Sequence, residues 1–127
     1  MSLSGCRPNA AGRRLGYRAA MPLPPDPPTP NYVSSRASDP ARRVEPLPGS
    51  IEQLAAVIEA APRASVLSRT ADSLHAVFVS PVFRFRDDLH AEADGGELQV
   101  RSASRVGYSD LGANRRRVEW LRGELGG

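Results

Sequence analysis

The chain contains no lysine. All 17 side chains counted as lysine or arginine are arginine, which excludes a lysine Schiff base, a phosphate-loop lysine and every Ser–Lys catalytic pair. Cys6, His75 and His90 are the full complement of thiol and imidazole groups. That excludes a four-cysteine zinc site, a Cys/His cluster and a disulfide framework. Aromatics are scarce, with three Phe, three Tyr and one Trp. None interleaves with an arginine run in the first half, so the stacking platforms of a nucleic-acid reader are missing. No apolar run approaches the ~18 residues that a membrane-crossing helix requires. With 127 residues and 13.6 kDa, the chain has room for one small domain.

What basic charge there is lies at the front. Residues 1–50 hold seven arginines against Asp26, Asp39 and Glu45, whereas residues 51–127 hold ten against eleven carboxylates. The surplus of four therefore belongs to the leading segment, and the second half is close to neutral. Prolines 8, 22, 24, 25, 27, 28, 30 and 40 crowd the first forty residues. At that density neither a helix nor a ladder forms. Residues 1–27 are expected to be a disordered Arg/Pro-rich leader, and residues 28–48 an extended arm against a domain that runs to residue 127. Leu3-Ser4-Gly5-Cys6 has the form of a lipoprotein cleavage box, yet only Met1 and Ser2 precede it. The expectation is a cytoplasmic protein as written, or a cell-envelope one if the true start lies upstream.

Regular structure begins at Ser50. Ile51, Leu54, Ala55 and Ile58 share one helical face, Ser50 and Gln53 form a Ser-x-x-Gln capping box, and Pro62 stops the helix. Before it, Arg42–Glu45 is expected as a short edge strand. From Ala64 the period becomes alternating, with strands expected near 64–69, 74–80, 82–93 and 97–106. Asp94, Gly95 and Gly96 mark a hairpin turn. A last helix is expected from Ser109 or Asp110, with Leu111, Val118, Leu121 and Leu125 on one stripe. The fold class is thus α+β: a β-α-β4-α two-layer sandwich, with an antiparallel four- to five-stranded sheet and both helices on one face. The order resembles the TATA-box-binding-protein-like arrangement, an analogy of fold that carries no function.

Alternation assigns the faces. Phe83, Phe85, Asp87, Leu89, Ala91 and Ala93 fall on one side, joined by Leu98, Val100, Ser102, Ser104 and Val106. Asp87 is then a carboxylate within an apolar layer, opposite Ser102 or Ser104, and it requires hydrogen-bond donors there. It is either a ligand-binding or catalytic carboxylate, or a buried tie that fixes strand register and helix docking. The other face carries His75, Arg84, Arg86, Asp88, His90, Glu92, Arg101 and Arg105. A solvated layer of ion pairs is the simple reading of it, and a His75–Asp88–His90 metal or acid–base site the sharper one. Near the last helix, Arg105, Ser109, Asn114 and Arg116 outline an anion site, although Asp110 competes for the same amides as a cap. The Arg115-Arg116-Arg117 run is expected on the exposed helix face.

Leu74-His75-Ala76, Phe85-x-Asp87-Asp88 and above all the segment from Val100 through Arg105, Gly107, Ser109-Asp110-Leu111-Gly112 and Asn114 to Arg117 closely resemble domain-of-unknown-function family 1499 of bacteria and plant plastids. Upstream, Pro30-Asn31-Tyr32-Val33-Ser34-Ser35 is similar to the family's Pro-Asn-Cys-Val-Ser-Ser box, with Tyr32 in place of the cysteine. The resemblance spans roughly residues 28–125 and implies that the arm docks on the domain. It implies no activity, and thiol chemistry at the cysteine position is excluded here. The functional expectation is a small binding or accessory domain without catalytic machinery, cofactor or metal. Its candidate ligand-binding residues are Asp87, Ser102, Ser104, Arg105, Ser109, Asn114 and Arg116, and its partner a small ligand or a protein. The rivals are a carrier of a small apolar or anionic ligand between the last helix and the sheet, and a hydrolase-like enzyme using Asp87 or Asp88.

Overall fold

Ser50 does what its spacing predicts. Its hydroxyl accepts from the Gln53 amide while the Gln53 side chain accepts from the Ser50 amide, so two unpaired donors are satisfied at the start of helix α1, Ile51–Glu59. Ile51, Leu54, Ala55 and Ile58 are its buried face. The structure, a computed structural model, describes residues 23–126. Most of the expected leader therefore lies outside the described residues.

Six strands form one antiparallel sheet: β1 (Tyr32–Ser34), β2 (Leu47–Pro48), β3 (Ala64–Arg69), β4 (Ser73–Val79), β5 (Arg86–Asp94) and β6 (Glu97–Ser104). The order across the sheet is β1-β6-β5-β4-β3, and β2 also pairs with β6. The β3–β6 meander follows from short turns. Asp94 pairs with Glu97 around Gly95 and Gly96, both at positive φ, as a primed two-residue turn requires. A second helix, α2 (Ala113–Glu124), lies with α1 over one face. Between helices and sheet, Leu54 and Ile58 meet Leu74, Leu89, Leu98 and Val100, and Val118 and Leu121 of α2 complete the core. The architecture is α+β, with six strands where four or five were expected.

Some local expectations are corrected. Arg42–Glu45 is not a strand; Asp39 caps a 3-10 turn at Pro40–Arg42, with Pro at the first helical position, and strand pairing resumes at Leu47. Phe83 and Phe85 are not in the sheet core but exposed in the loop after Pro81, because Arg84 takes a left-handed φ of 61° that breaks the alternation. The alternation holds again from Asp87 to Glu92; Ala93, expected on the covered face, is exposed, and β6 ends at Ser104, which leaves Val106, also expected there, 57% exposed. Helix α2 begins at Ala113, after Gly112 at φ 82°, rather than at Ser109 or Asp110. Leu111 consequently leaves the apolar stripe and is 84% exposed.

Candidate functional site

Register places Asp87 across from Ser104 on one side and Phe78 on the other. Its side chain is buried under α2, where the carboxylate meets Arg117 at 2.9 Å. The serines are not its donors. Ser102 donates instead to the Asn114 carbonyl oxygen at 2.7 Å, and Ser104 accepts from the Asn114 amide nitrogen at 3.0 Å. Arg117 also donates to Asn114 Oδ1 and Ser102 Oγ, at 2.9 and 3.2 Å, and its guanidinium lies 4.8 Å from the centre of the Phe78 ring. A charge in an apolar layer is tolerated when it is paired, and Arg117 pairs with Asp87 here.

Arg117 was expected on the solvated helix face. Its side chain is only 14% exposed, because it shares the sheet-facing stripe of Asn114, Val118 and Leu121. The signal for it in the sequence is spacing: Arg117 lies three residues after Asn114 and four before Leu121, on the stripe facing Asp87. Arg115 and Arg116 do not face water unengaged. Arg115 donates to the Ala41 and Arg43 carbonyls, and Arg116 to that of Leu111.

Asn114, fully buried, extends the network to the arm and to the turn before α2. Its amide nitrogen reaches the Asn31 carbonyl and the Asp110 carboxylate as well as Ser104. Asn31 in turn donates to the carbonyls of Val106 and Gly107, at 3.0 and 2.8 Å. Asp110 accepts from the Gly112 and Asn114 amides. Burial raises its pKa, but the Asn114 side chain and these amides outweigh that and hold it below the ordinary value. The anion-attracting amides at the helix start thus already serve a carboxylate of the chain itself.

Of the seven expected ligand-binding residues, Asp87, Ser102, Ser104 and Asn114 come together. Arg105 lies on the opposite face. Ser109 and Arg116 make local bonds in and around the turn before α2, Ser109 accepting from the Leu111 amide.

The opposite face holds a second polar cluster. Asp88 is clamped by Arg105 Nε and Nη2 at 2.8 and 2.9 Å and meets His75 Nε2 at 2.8 Å. Hydrogen bonding from Arg105 outweighs partial burial and draws its pKa down to about 2. A carboxylate held ionised in this way is a poor general base at neutral pH. His90 stacks on His75 at 4.2 Å between ring centres. Burial, reinforced by the neighbouring His75 and Arg101, pushes the His90 imidazole down to about 4. Its Nδ1 and the Nε of Arg101 are buried with no hydrogen-bond partner among the described residues. A narrow cleft of about 110 Å³ opens beside the two rings, lined also by Ser68, Thr70 and Ser73. Among the described residues no group of three or more His, Cys, Asp or Glu is arranged to hold a metal.

His90 gives a pH test. Its folded-state pKa of about 4 lies below the ordinary 6.5. The neutral ring therefore contributes stability that is complete above pH 6.5 and is lost as pH falls toward 4. Asp88, lowered from 3.8 to about 2, adds a loss only below pH 3.8. The urea midpoint should fall between pH 6.5 and 4, and His90→Phe should flatten that interval alone. A His90 ring that titrates near 6.5 by NMR contradicts this account.

The polar network joins residues 100–117 to the Pro30–Ser35 box. The two are bonded to each other through Asn31 and Asn114. The family model described as protein of unknown function (DUF1499) matches residues 22–125. The chain belongs to the DUF1499 family. The match begins a few residues before the expected position 28 and takes in the whole Pro-rich arm. Neither the curated proteins nor the solved structures yielded a match. Tyr32 is buried beside Ala37 and Ala103 on the histidine-bearing side of the sheet. No helix among the described residues is long and apolar enough to cross a membrane.

Proposed function

We propose that this DUF1499 protein is a non-catalytic accessory domain that acts through its surface and holds no small molecule between α2 and the sheet. The observation that carries the reading is the closure around Asp87. Its carboxylate is committed to Arg117, and Ser102, Ser104 and Asn114 are committed to one another. The Asp87 cluster is, on this reading, a tie that fixes how α2 and the arm sit on the sheet. The cleft nearest the start of α2 is lined by Val33, Arg42, Ser109, Asp110, Gly112 and Arg115 and measures about 190 Å³. That falls below the ~300 Å³ at which ligand pockets begin, and both of its arginines are bonded to backbone carbonyls. Asp88, clamped by Arg105, lacks the basicity that a hydrolase would require of it.

Native mass spectrometry of protein purified without denaturation tests the proposal. The expected result is the mass of the chain alone. A stoichiometric small-molecule adduct, released on denaturation, would overturn the surface reading in favour of a carrier.

A further inference from the structure

Two loops leave neighbouring strands at one end of the sheet. Residues 80–85 join β4 to β5, and residues 105–112 join β6 to α2. The Arg105 amide donates to the Arg86 carbonyl at 3.0 Å, so the loops emerge side by side. Among the described residues, eight large apolar side chains are exposed, and six of them are here: Val82, Phe83, Phe85, Val106, Tyr108 and Leu111. Leu111, Val82 and Phe83 are 84%, 77% and 73% exposed, and Phe83 and Phe85 stack at 5.6 Å. Scattered apolar residues on a surface need no explanation, but a cluster of this size at one tip does.

Arginines stand at the same end. Arg84 and Arg86 flank Phe85, and the Val79 amide bonds to the Arg63 carbonyl, which brings Arg63 to this end too. Among the described residues none of these three arginines is within 4.0 Å of a carboxylate. The turns at the far end carry Asp72, Asp94 and Glu97. The far end also carries Arg69, and Arg36 pairs there with Glu92 and Asp94, so it is the exposed apolar side chains beside these arginines that mark the first end.

We propose that the apolar, basic end docks on an anionic lipid surface. Phe83, Tyr108 and Leu111 enter the interfacial layer, and Arg63, Arg84 and Arg86 meet the headgroup phosphates. Two features favour a bilayer over a protein partner. The apolar groups are carried on two loops, which an interface of acyl chains and headgroups accommodates without a complementary shape. The cationic side chains stand around them, where the long arginine stems reach headgroup level. The assignment names the partner of the surface-acting reading and rests on it.

Vesicle co-sedimentation of the full chain tests it. Vesicles of phosphatidylcholine containing one-quarter phosphatidylglycerol are compared with phosphatidylcholine alone, for the natural chain and for Phe83→Ser combined with Tyr108→Ser. The natural chain should bind the anionic vesicles about tenfold better than the neutral ones, and the double variant should lose about tenfold on the anionic vesicles with its melting temperature unchanged. The variant keeps every arginine, including those before residue 22. Binding that survives in it is charge attraction without the apolar insertion and overturns the assignment. Absence of binding by the natural chain overturns it as well, as does self-association abolished by the same double substitution without vesicle binding. These outcomes leave the mass-spectrometric test of the surface reading untouched.

Discussion

Arg117→Met should destabilise the protein by about 3–5 kcal/mol, the penalty of leaving a buried carboxylate without its partner. For a domain of this size that is a fall in melting temperature of roughly 10–20 °C. The side chains of the pair are 14% and 8% exposed, so water offers little rescue. Asp87→Asn should cost less, because the amide retains a hydrogen bond to the guanidinium while the attraction between charges is lost. The combined Asp87→Leu, Arg117→Met chain should recover most of what the single arginine change loses. A buried ion pair replaced by apolar groups of similar volume is often neutral, and the cycle isolates the coupling. Urea unfolding of the four chains measures it. A melting temperature within about 2 °C of the natural chain for Arg117→Met would show that Asp87 is satisfied by other means.

Deleting residues 1–35 should abolish cooperative unfolding, whereas deleting 1–27 should change stability by no more than about 1 kcal/mol. The longer deletion removes Tyr32 and Val33, both buried, each contributing about 1.5–3 kcal/mol through burial. It also removes Asn31, whose carbonyl serves Asn114 and whose side chain holds the backbone at Val106 and Gly107. The edge of β6 loses its pairing from Arg101 to Ala103. Together these losses rival the 5–15 kcal/mol by which small domains are stable at all. The shorter deletion takes away isolated polar contacts such as that between Asp26 and the Ser38 amide. Circular dichroism melts of both truncations decide the matter, and equal effects would refute a division at residue 28.

The sequence was most legible where one rule acted alone. The Ser50–Gln53 box and the spacing of Ile51, Leu54 and Ile58 place the start of α1 to the residue. Parity brought Asp87 and Ser102 to the helix-covered face without knowledge of the register. Reading failed where two rules competed. Phe83 and Phe85 have the right parity for the core, yet a left-handed Arg84 between them takes both into a loop. Arg117 belongs to a triple-arginine run that composition assigns to solvent. Its spacing from Asn114 and Leu121 nevertheless sets that side chain on the stripe facing the sheet. The partner of Asp87 was hidden because a buried acid and its base lie thirty residues apart, joined only by tertiary docking.

The sheet's two borders differ in kind. On one, β6 is sheltered by two fragments, β1 and β2, of three and two residues, separated by a proline-rich excursion. On the other, β3 slips register between Val66 and Ser68 and ends on Arg69. Neither border offers a long straight row of unpaired amides and carbonyls to a second chain. The protein is thereby protected against edge-to-edge polymerisation, and at high concentration its self-association should not proceed by strand addition.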